Sequence, residues 1–311
     1  MSKLSAYLRH WRHPTRTDAA TNSHHSVSFN PAKYAHGVQG QVCKGTQILL
    51  VERYRGLMRT GAPMPSFADV EFRNFSQNGE DGILLYIFAL IGMKSRRCIE
   101  ICAGDGIECN STNLILNHGF DALLVDGDDR NVTVAKQFYG LHRDTYGFAP
   151  RAVQHWISRE TVDRFLRDQG MEGEIDLLTI DIDGNDYWIW EAIESVSPRV
   201  VVVEYENSWG ADESMSMRYD SQFVWREEEP GMPHCGASLA AFCKLAHRRG
   251  YRLVGCQSRC FNAFFVKNEI AGPWLPEVSV ESCLTSGMSV YRRALRRSRP
   301  HSPILERFMQ V

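Results

Sequence analysis

The sequence predicts an α/β protein with a Rossmann-like, mostly parallel sheet that ends in an antiparallel β-hairpin. Three observations carry the prediction. Runs that are apolar throughout, among them Ala122 to Val125, Ile175 to Ile180 and Val200 to Val203, alternate with segments of helical period. Strands without a polar face belong to parallel sheets covered on both sides. Three runs lead into turns that join aspartate to glycine: Asp105-Gly106, Asp126-Gly127 and Asp183-Gly184. The last two strands, Tyr251 to Cys256 and Phe261 to Lys267, are separated only by Gln257-Ser258-Arg259-Cys260. A parallel return needs a crossover of about a dozen residues or more, so this pair is antiparallel.

Each element has its own signal. Residues 14–40 are rich in Ser, Thr, Asn, His and Gly without periodicity and read as loop. Glu80 to Gly92 reads as a helix, with Ile83, Leu84, Ile87, Phe88 and Ile91 on one face. Strand Cys98 to Cys102 passes into the turn Ala103-Gly104-Asp105-Gly106, and Asn110 or Ser111 then caps a short helix that Gly119 ends. Ala122 to Val125 ends at Asp126, Asn131 to Tyr139 looks helical, and a weak strand lies around Ala149 to Gln154. Ser158 is expected to cap a helix that stops at Gly170. Strand Ile175 to Ile180 leads into Asp181-Ile182-Asp183-Gly184, and a helix near Tyr187 to Ile193 precedes strand Val200 to Val203. Ser238 to Arg249 is an amphipathic helix closed by Gly250.

Composition narrows the class. The 311 residues are 43% hydrophobic and 23% charged, a globular balance in a chain long enough to bury a full core. No stretch approaches the ~20 apolar residues that span a bilayer. Met1 to Arg16 lacks the apolar centre of a secretory signal. The nine cysteines include no CxxC pair, which favours neither a disulfide framework nor a zinc knuckle. A soluble, cytoplasmic protein is expected. Residues 1–60 hold nine Lys/Arg against two acids, and residues 291–311 hold six Arg against one, so an acidic middle carries basic ends. Such a body repels phosphates and argues against a nucleic-acid partner. The basic ends read as solvated flanks that fold back on the body, with a docking role for the tail as the alternative. The expected organisation is a basic extension over 1–71, partly loop, a ligand-binding domain over 72–268 and a basic tail over 269–311.

In open α/β sheets the ligand lies beyond the carboxyl ends of the strands. Asp105, Asp126 with Asp128, and Asp181 with Asp183 fall at such ends. Gly104 and Gly106 permit close backbone approach, and Asp126, 20 residues after Gly106, is placed to accept bonds from both hydroxyls of a ribose. The constellation indicates an adenosine-containing ligand; the plainer reading is that the glycines only serve a tight turn. Gly104-x-Gly106-x-x-Cys109 also approximates a dinucleotide fingerprint with Cys in place of the third glycine. A nicotinamide cofactor and the sulfonium cofactor S-adenosylmethionine (SAM) both remain open at this point.

Glu100-Ile101-Cys102-Ala103-Gly104-Asp105-Gly106 resembles motif I of class I SAM-dependent methyltransferases, Asp126 their ribose acid, and the closing hairpin their reversed seventh strand. More narrowly, the chain resembles FkbM-type methyltransferases in Ser76-Gln77-Asn78-Gly79-Glu80-Asp81-Gly82, in Asp176 to Asp186 and in Asn262-Ala263-Phe264-Phe265-Val266, over about residues 72–268. Cys102 stands where that family has its first glycine. The resemblance implies a class I methyltransferase fold with SAM as cofactor. It implies that Glu100, Cys102, Ala103 and Gly104 cradle the methionine part, Asp126 holds the ribose, Trp156 and Ile157 flank the adenine, and Gln77 and Glu80 close over the amino-acid end. The alternative for Glu80 is a favourable charge at a helix N-terminus.

Methyl transfer asks the protein to align an acceptor and exclude water; a hydroxyl acceptor also benefits from a base. Asp181 and Asp183 are the candidate bases, because alternate strand residues share a face. Capping by Asp183 or Asn185 is the structural alternative. Oxygen ligands of this kind suit Mg²⁺, but no metal site is expected. Residues 207–236 form a long connection carrying Trp209, Met215, Met217, Tyr219, Phe223 and Trp225, which reads as an acceptor-recognising lid. Tyr219, Trp225, Asn185 and Tyr187 are the expected acceptor contacts, and His234 a further catalytic candidate. Of Glu204 and Glu206, at the end of the fifth strand, at most one is expected to reach the cleft. The function expected is O-methylation of a sugar or natural-product hydroxyl. The alternatives are non-methyl transfer or cyclisation from SAM, an NAD(P)-dependent oxidoreductase, and a non-catalytic interaction protein that keeps the fold. A small-molecule or glycan acceptor is the expected partner.

Overall fold

The computed structural model describes residues 42–226 and 228–311. The loop expected over 14–40 and most of the extension over 1–71 lie outside the described residues. Among the described residues, three helices precede the sheet: α1 (Lys44–Thr60), α2 (Phe67–Val70) and α3 (Glu80–Ile91). Strands and helices then alternate as β1 (Arg97–Ile101), α4 (Thr112–His118), β2 (Asp121–Asp126), α5 (Asp129–Leu141), β3 (Arg151–Gln154), α6 (Val162–Asp168), β4 (Gly173–Ile180), α7 (Asp186–Ala192) and β5 (Val196–Glu204). The chain continues through β6 (Met215–Met217), α8 (Leu239–Arg248), β7 (Tyr251–Cys256), β8 (Asn262–Lys267), α9 (Gly287–Ser298) and β9 (Phe308–Gln310).

Seven strands form one sheet in the order β3-β2-β1-β4-β5-β8-β7. The first five pair in parallel, and β8 runs antiparallel both to β5 and to its hairpin partner β7. The expected hairpin therefore inserts its second strand beside β5. This is the mostly parallel sheet closed by an antiparallel hairpin that the sequence predicts, with the reversed strand one place from the edge. Because the sheet is covered on both faces, two cores form. One packs α6, α7 and α8 on Ile99, Leu178, Val201 and Phe265; the other packs α1, α3, α4 and α5 on Cys98, Leu124, Val202 and Phe264. Trp190 lies 5.2 Å from the Phe265 ring and 6.2 Å from that of Phe242. Helix α3 is apolar almost all round and correspondingly buried. Gly82 lets it pass close to the chain, since a Cβ there would lie 2.0 Å from the Val70 carbonyl oxygen.

Two boundaries differ from expectation. Ser158 does not cap α6: it forms a preceding turn, its Oγ 3.0 Å from Thr161 Oγ1, and Thr161 occupies the N-cap position. Strand β5 begins at Val196, before Val200, because Ser197 and Pro198 pair in register with Glu174 and Ile175 despite the missing N–H of proline.

The flanks are folded where they are described. Tyr54 of α1 packs edge-on against Tyr86 of α3 at 4.9 Å. At the other end, β9 pairs antiparallel with β6 of the long connection. Arg292 and Arg296 of α9 reach back to Glu206 and Glu213, and Arg296 also covers the Trp209 ring at 4.2 Å. No described helix is long and apolar enough to cross a membrane.

Candidate active site

The loop between β1 and α4 is held from behind by Glu100. This buried carboxylate accepts from the backbone of Asn110 (2.8 Å) and Ser111 (2.7 Å) and from the Ser111 hydroxyl. Burial raises its pKa against those bonds. Glu100 therefore shapes the loop from behind. In front, Cys102, Gly104 and Gly106 all take positive φ, at 65°, 56° and 69°. Glycine is required at Gly106, where a Cβ would stand 2.9 Å from that of Ala135. At Gly104 a Cβ would meet nothing within 4 Å, so the outer face of the turn is open.

Asp126 ends β2 beneath that turn. Its Oδ2 accepts from Gly104 N at 2.9 Å, and its Oδ1 from Asp128 N at 2.9 Å and Asn131 Nδ2 at 3.0 Å. Burial pushes its carboxyl up while these donors pull it down. The Cys102 thiol lies 3.9 Å from Oδ2. Beside Asp126, Trp156 is 49% exposed, with ring carbon Cε3 3.0 Å from where a Gly127 Cβ would be. Its Nε1 donates to the Ser221 carbonyl at 2.9 Å, while Ile157 is buried in the core. Ala103 is buried, its N–H donating to Val125 O at 2.9 Å. Gln77 is exposed. Glu80, fully buried, accepts from Asn78 N at 2.9 Å and from Asn262 Nδ2 at 2.9 Å.

The adjacent strands end in carboxylates. Ile180 pairs with Val203, so the next residues, Asp181 and Glu204, stand side by side. With Asp183 they place one carboxylate oxygen each within 4.8 Å of one another. Burial, then the charges of Asp183 and Asp186, raises Asp181 well above the usual carboxylate range. Burial, then Asp181, does the same to Glu204. Glu206 turns away to Arg292 (2.8 Å) and Ser208 N (3.0 Å). The turn after β4 is fixed by Asp186, whose two oxygens accept from Ile182 N at 2.8 Å and Gly184 N at 3.0 Å. Asn185 occupies the N-cap position of α7 without a side-chain capping bond. Buried, the Asp186 carboxyl is pushed up to about 6.

The connection after β5 is tied across the site. Asn185 donates from Nδ2 to the Asp220 carbonyl at 2.8 Å, and Tyr219 donates its hydroxyl to Glu160 at 2.6 Å while accepting from Arg159 N at 3.0 Å. Both hold the connection in place. Tyr187 is buried among Trp188 and Phe242, its hydroxyl accepting from Arg248 at 2.9 Å. Trp225 and the buried His234 lie together, ring centroids 6.5 Å apart. The sequence does not choose between Glu204 and Glu206; the register of β5 against β4 places Glu204 beside Asp181.

No protein-family profile matches the chain, and no curated protein matches it. Among solved structures, magnesium protoporphyrin IX methyltransferase (ChlM) of Synechocystis PCC 6803 with bound SAM is 10% identical, covering 76% of this chain and 90% of its own, at a TM-score of 0.37. The N-terminal domain of EvdMO1 with bound SAH is 13% identical over 71% and 94%, at 0.40. The CcbJ methyltransferase of Streptomyces caelestis is 12% identical over 60% and 89%, at 0.38.

Proposed function

We propose that the chain is a SAM-dependent methyltransferase of FkbM-like type that methylates a hydroxyl oxygen on a sugar or natural product. One observation carries the reading: an open glycine turn, a buried ribose-type acid and a carboxylate cluster meet at the carboxyl ends of four neighbouring strands, β2-β1-β4-β5. The residues fit the cofactor. The outer face of Gly104 is free of side chains, Asp126 retains acceptor capacity on Oδ2, and the carboxylates give the negative surroundings that a sulfonium requires. Bound SAM would supply an electrophilic methyl group, leaving alignment and proton removal to the protein.

Asp126 would hold the ribose, Trp156 would stack on the adenine, and Glu80 would stand near the amino-acid end. Asp181 would be the base: burial and the charges of Asp183 and Asp186 raise its carboxyl above the ordinary range, and a stronger base accepts a hydroxyl proton more readily. Glu204, hydrogen-bonded to Asp181, orients it. The connection over 207–236 excludes water from the acceptor.

The test is product analysis with SAM and a panel of sugar and polyketide hydroxyl acceptors. Formation of S-adenosylhomocysteine together with an acceptor heavier by one methyl group supports the reading. Methylthioadenosine would instead indicate attack on another sulfonium carbon, including cyclisation. Oxidation of NADH without SAM turnover would indicate an oxidoreductase. Intact biological activity in Asp126→Ala would indicate a non-catalytic interaction protein.

A further inference from the structure

We propose that Asp181, Asp183 and Glu204 bind a divalent, oxygen-preferring cation of the Mn²⁺ or Ca²⁺ type, with Asn262 as a fourth protein ligand. The proposal deepens the reading of this same site. Two carboxylates are legible in the sequence, and the register of β5 adds the third. Oxygens on a coordination shell of about 2.4 Å radius lie at most about 4.8 Å apart. The three carboxylates meet that bound, one oxygen from each falling within 4.8 Å of the others.

Asn262 is independent of the acidic cluster and also points to a ligand. It stands directly across from Glu204 on the antiparallel strand β8, so the two side chains share a face of the sheet, with Cβ atoms about 5 Å apart. It is only 5% exposed. Its Nδ2 donates to the Glu80 carboxylate at 2.9 Å, which fixes which end of the amide is oxygen. Its Oδ1 has no partner among the described residues. A buried acceptor left unpaired is costly, and a hard cation beside Glu204 would satisfy it. Three carboxylates and an amide oxygen form the donor set that such ions prefer over nitrogen or sulfur. The cation would lower the pKa of an acceptor hydroxyl, so that the Asp181 oxygen left off the ion, though made less basic by it, suffices to take the proton.

The test is calorimetric titration of the full chain with MnCl₂, without SAM, so that its outcome is separable from the cofactor assignment. We expect one saturable site, weakened roughly tenfold or more by Asp183→Asn or Glu204→Gln and by a smaller factor in Asn262→Ala. Asp212→Asn, at an exposed acid of the connection, is expected to leave Mn²⁺ affinity unchanged. Circular dichroism confirms that each variant is folded. No saturable Mn²⁺ binding by the wild-type chain would overturn the proposal. So would binding that Glu204→Gln leaves unaltered.

Discussion

Arg292 closes the base of the connection over 207–236, and its removal tests whether the basic tail is part of the fold. Its guanidinium donates to Glu206 at 2.8 Å and Asn207 Oδ1 at 3.1 Å, and more weakly to the carbonyls of Gly231 and Met232, both at 3.4 Å. It thereby joins the start of the connection to residues near its end. The side chains are 18% and 7% exposed for Arg292 and Glu206, so Arg292→Ala strands a nearly buried carboxylate. Breaking a buried pair from one side costs about 3–5 kcal/mol. The two long contacts add little, because hydrogen bonds weaken at such distances. Glu206→Gln removes the stranded charge, so the double variant is expected to recover about 2–3 kcal/mol relative to additivity. Arg292→Lys keeps the charge but loses the fork that spans Glu206 and Asn207, and falls between. The assay is urea unfolding of wild type, both single variants and the double variant. A cost below about 1 kcal/mol for Arg292→Ala, or strict additivity, would refute a tail that clasps the connection.

Two further perturbations probe the site itself. Buried Asp186 carries a carboxyl pushed up to about 6, against roughly 4 in an unfolded chain. The folded state thus binds that proton more tightly. Its stabilisation is complete below about pH 4 and is lost as pH rises through about 6, a swing of about 3 kcal/mol. Urea midpoints between pH 4 and 7 should show a smaller loss with rising pH in Asp186→Asn than in wild type; identical slopes would contradict this. Cys102 sits at φ 65°, where a side chain costs about 1–2 kcal/mol and glycine's unfolded-state entropy returns about half of that. Cys102→Gly should therefore raise Tm by about 1–2 °C, and a lower Tm would show that the thiol's contact with Asp126 outweighs the strain.

What the sequence made legible is local. Glycines at 104 and 106, the acids that end β2 and β4, and the four-residue link between β7 and β8 each act within a few residues, so spacing alone placed them. What it hid depends on partners far along the chain. Glu204 enters the cluster only through the pairing of β5 with β4. Glu100 is spent on the α4 N-terminus, which no count of charges reveals. Tyr187 lies on a helix buried on several sides, so its nearness in sequence to Asp183 does not bring it to the cleft. Asn185 finds its partner 35 residues on, in the connection that returns across the site, and Tyr219 of that connection reaches back 60 residues to Arg159. Arg292 and Arg296 were visible as charge, but charge pattern does not name a partner; Glu206 and Glu213 are theirs.

The central claim is that the turn after β1 and Asp126 form a SAM site. Calorimetric titration of the purified chain with SAM, S-adenosylhomocysteine and NAD⁺ tests it most directly. Saturable binding of the first two, none of NAD⁺, and loss of both in a folded Asp126→Ala variant is the predicted result. Binding of NAD⁺ alone, or SAM binding that Asp126→Ala leaves intact, would contradict it.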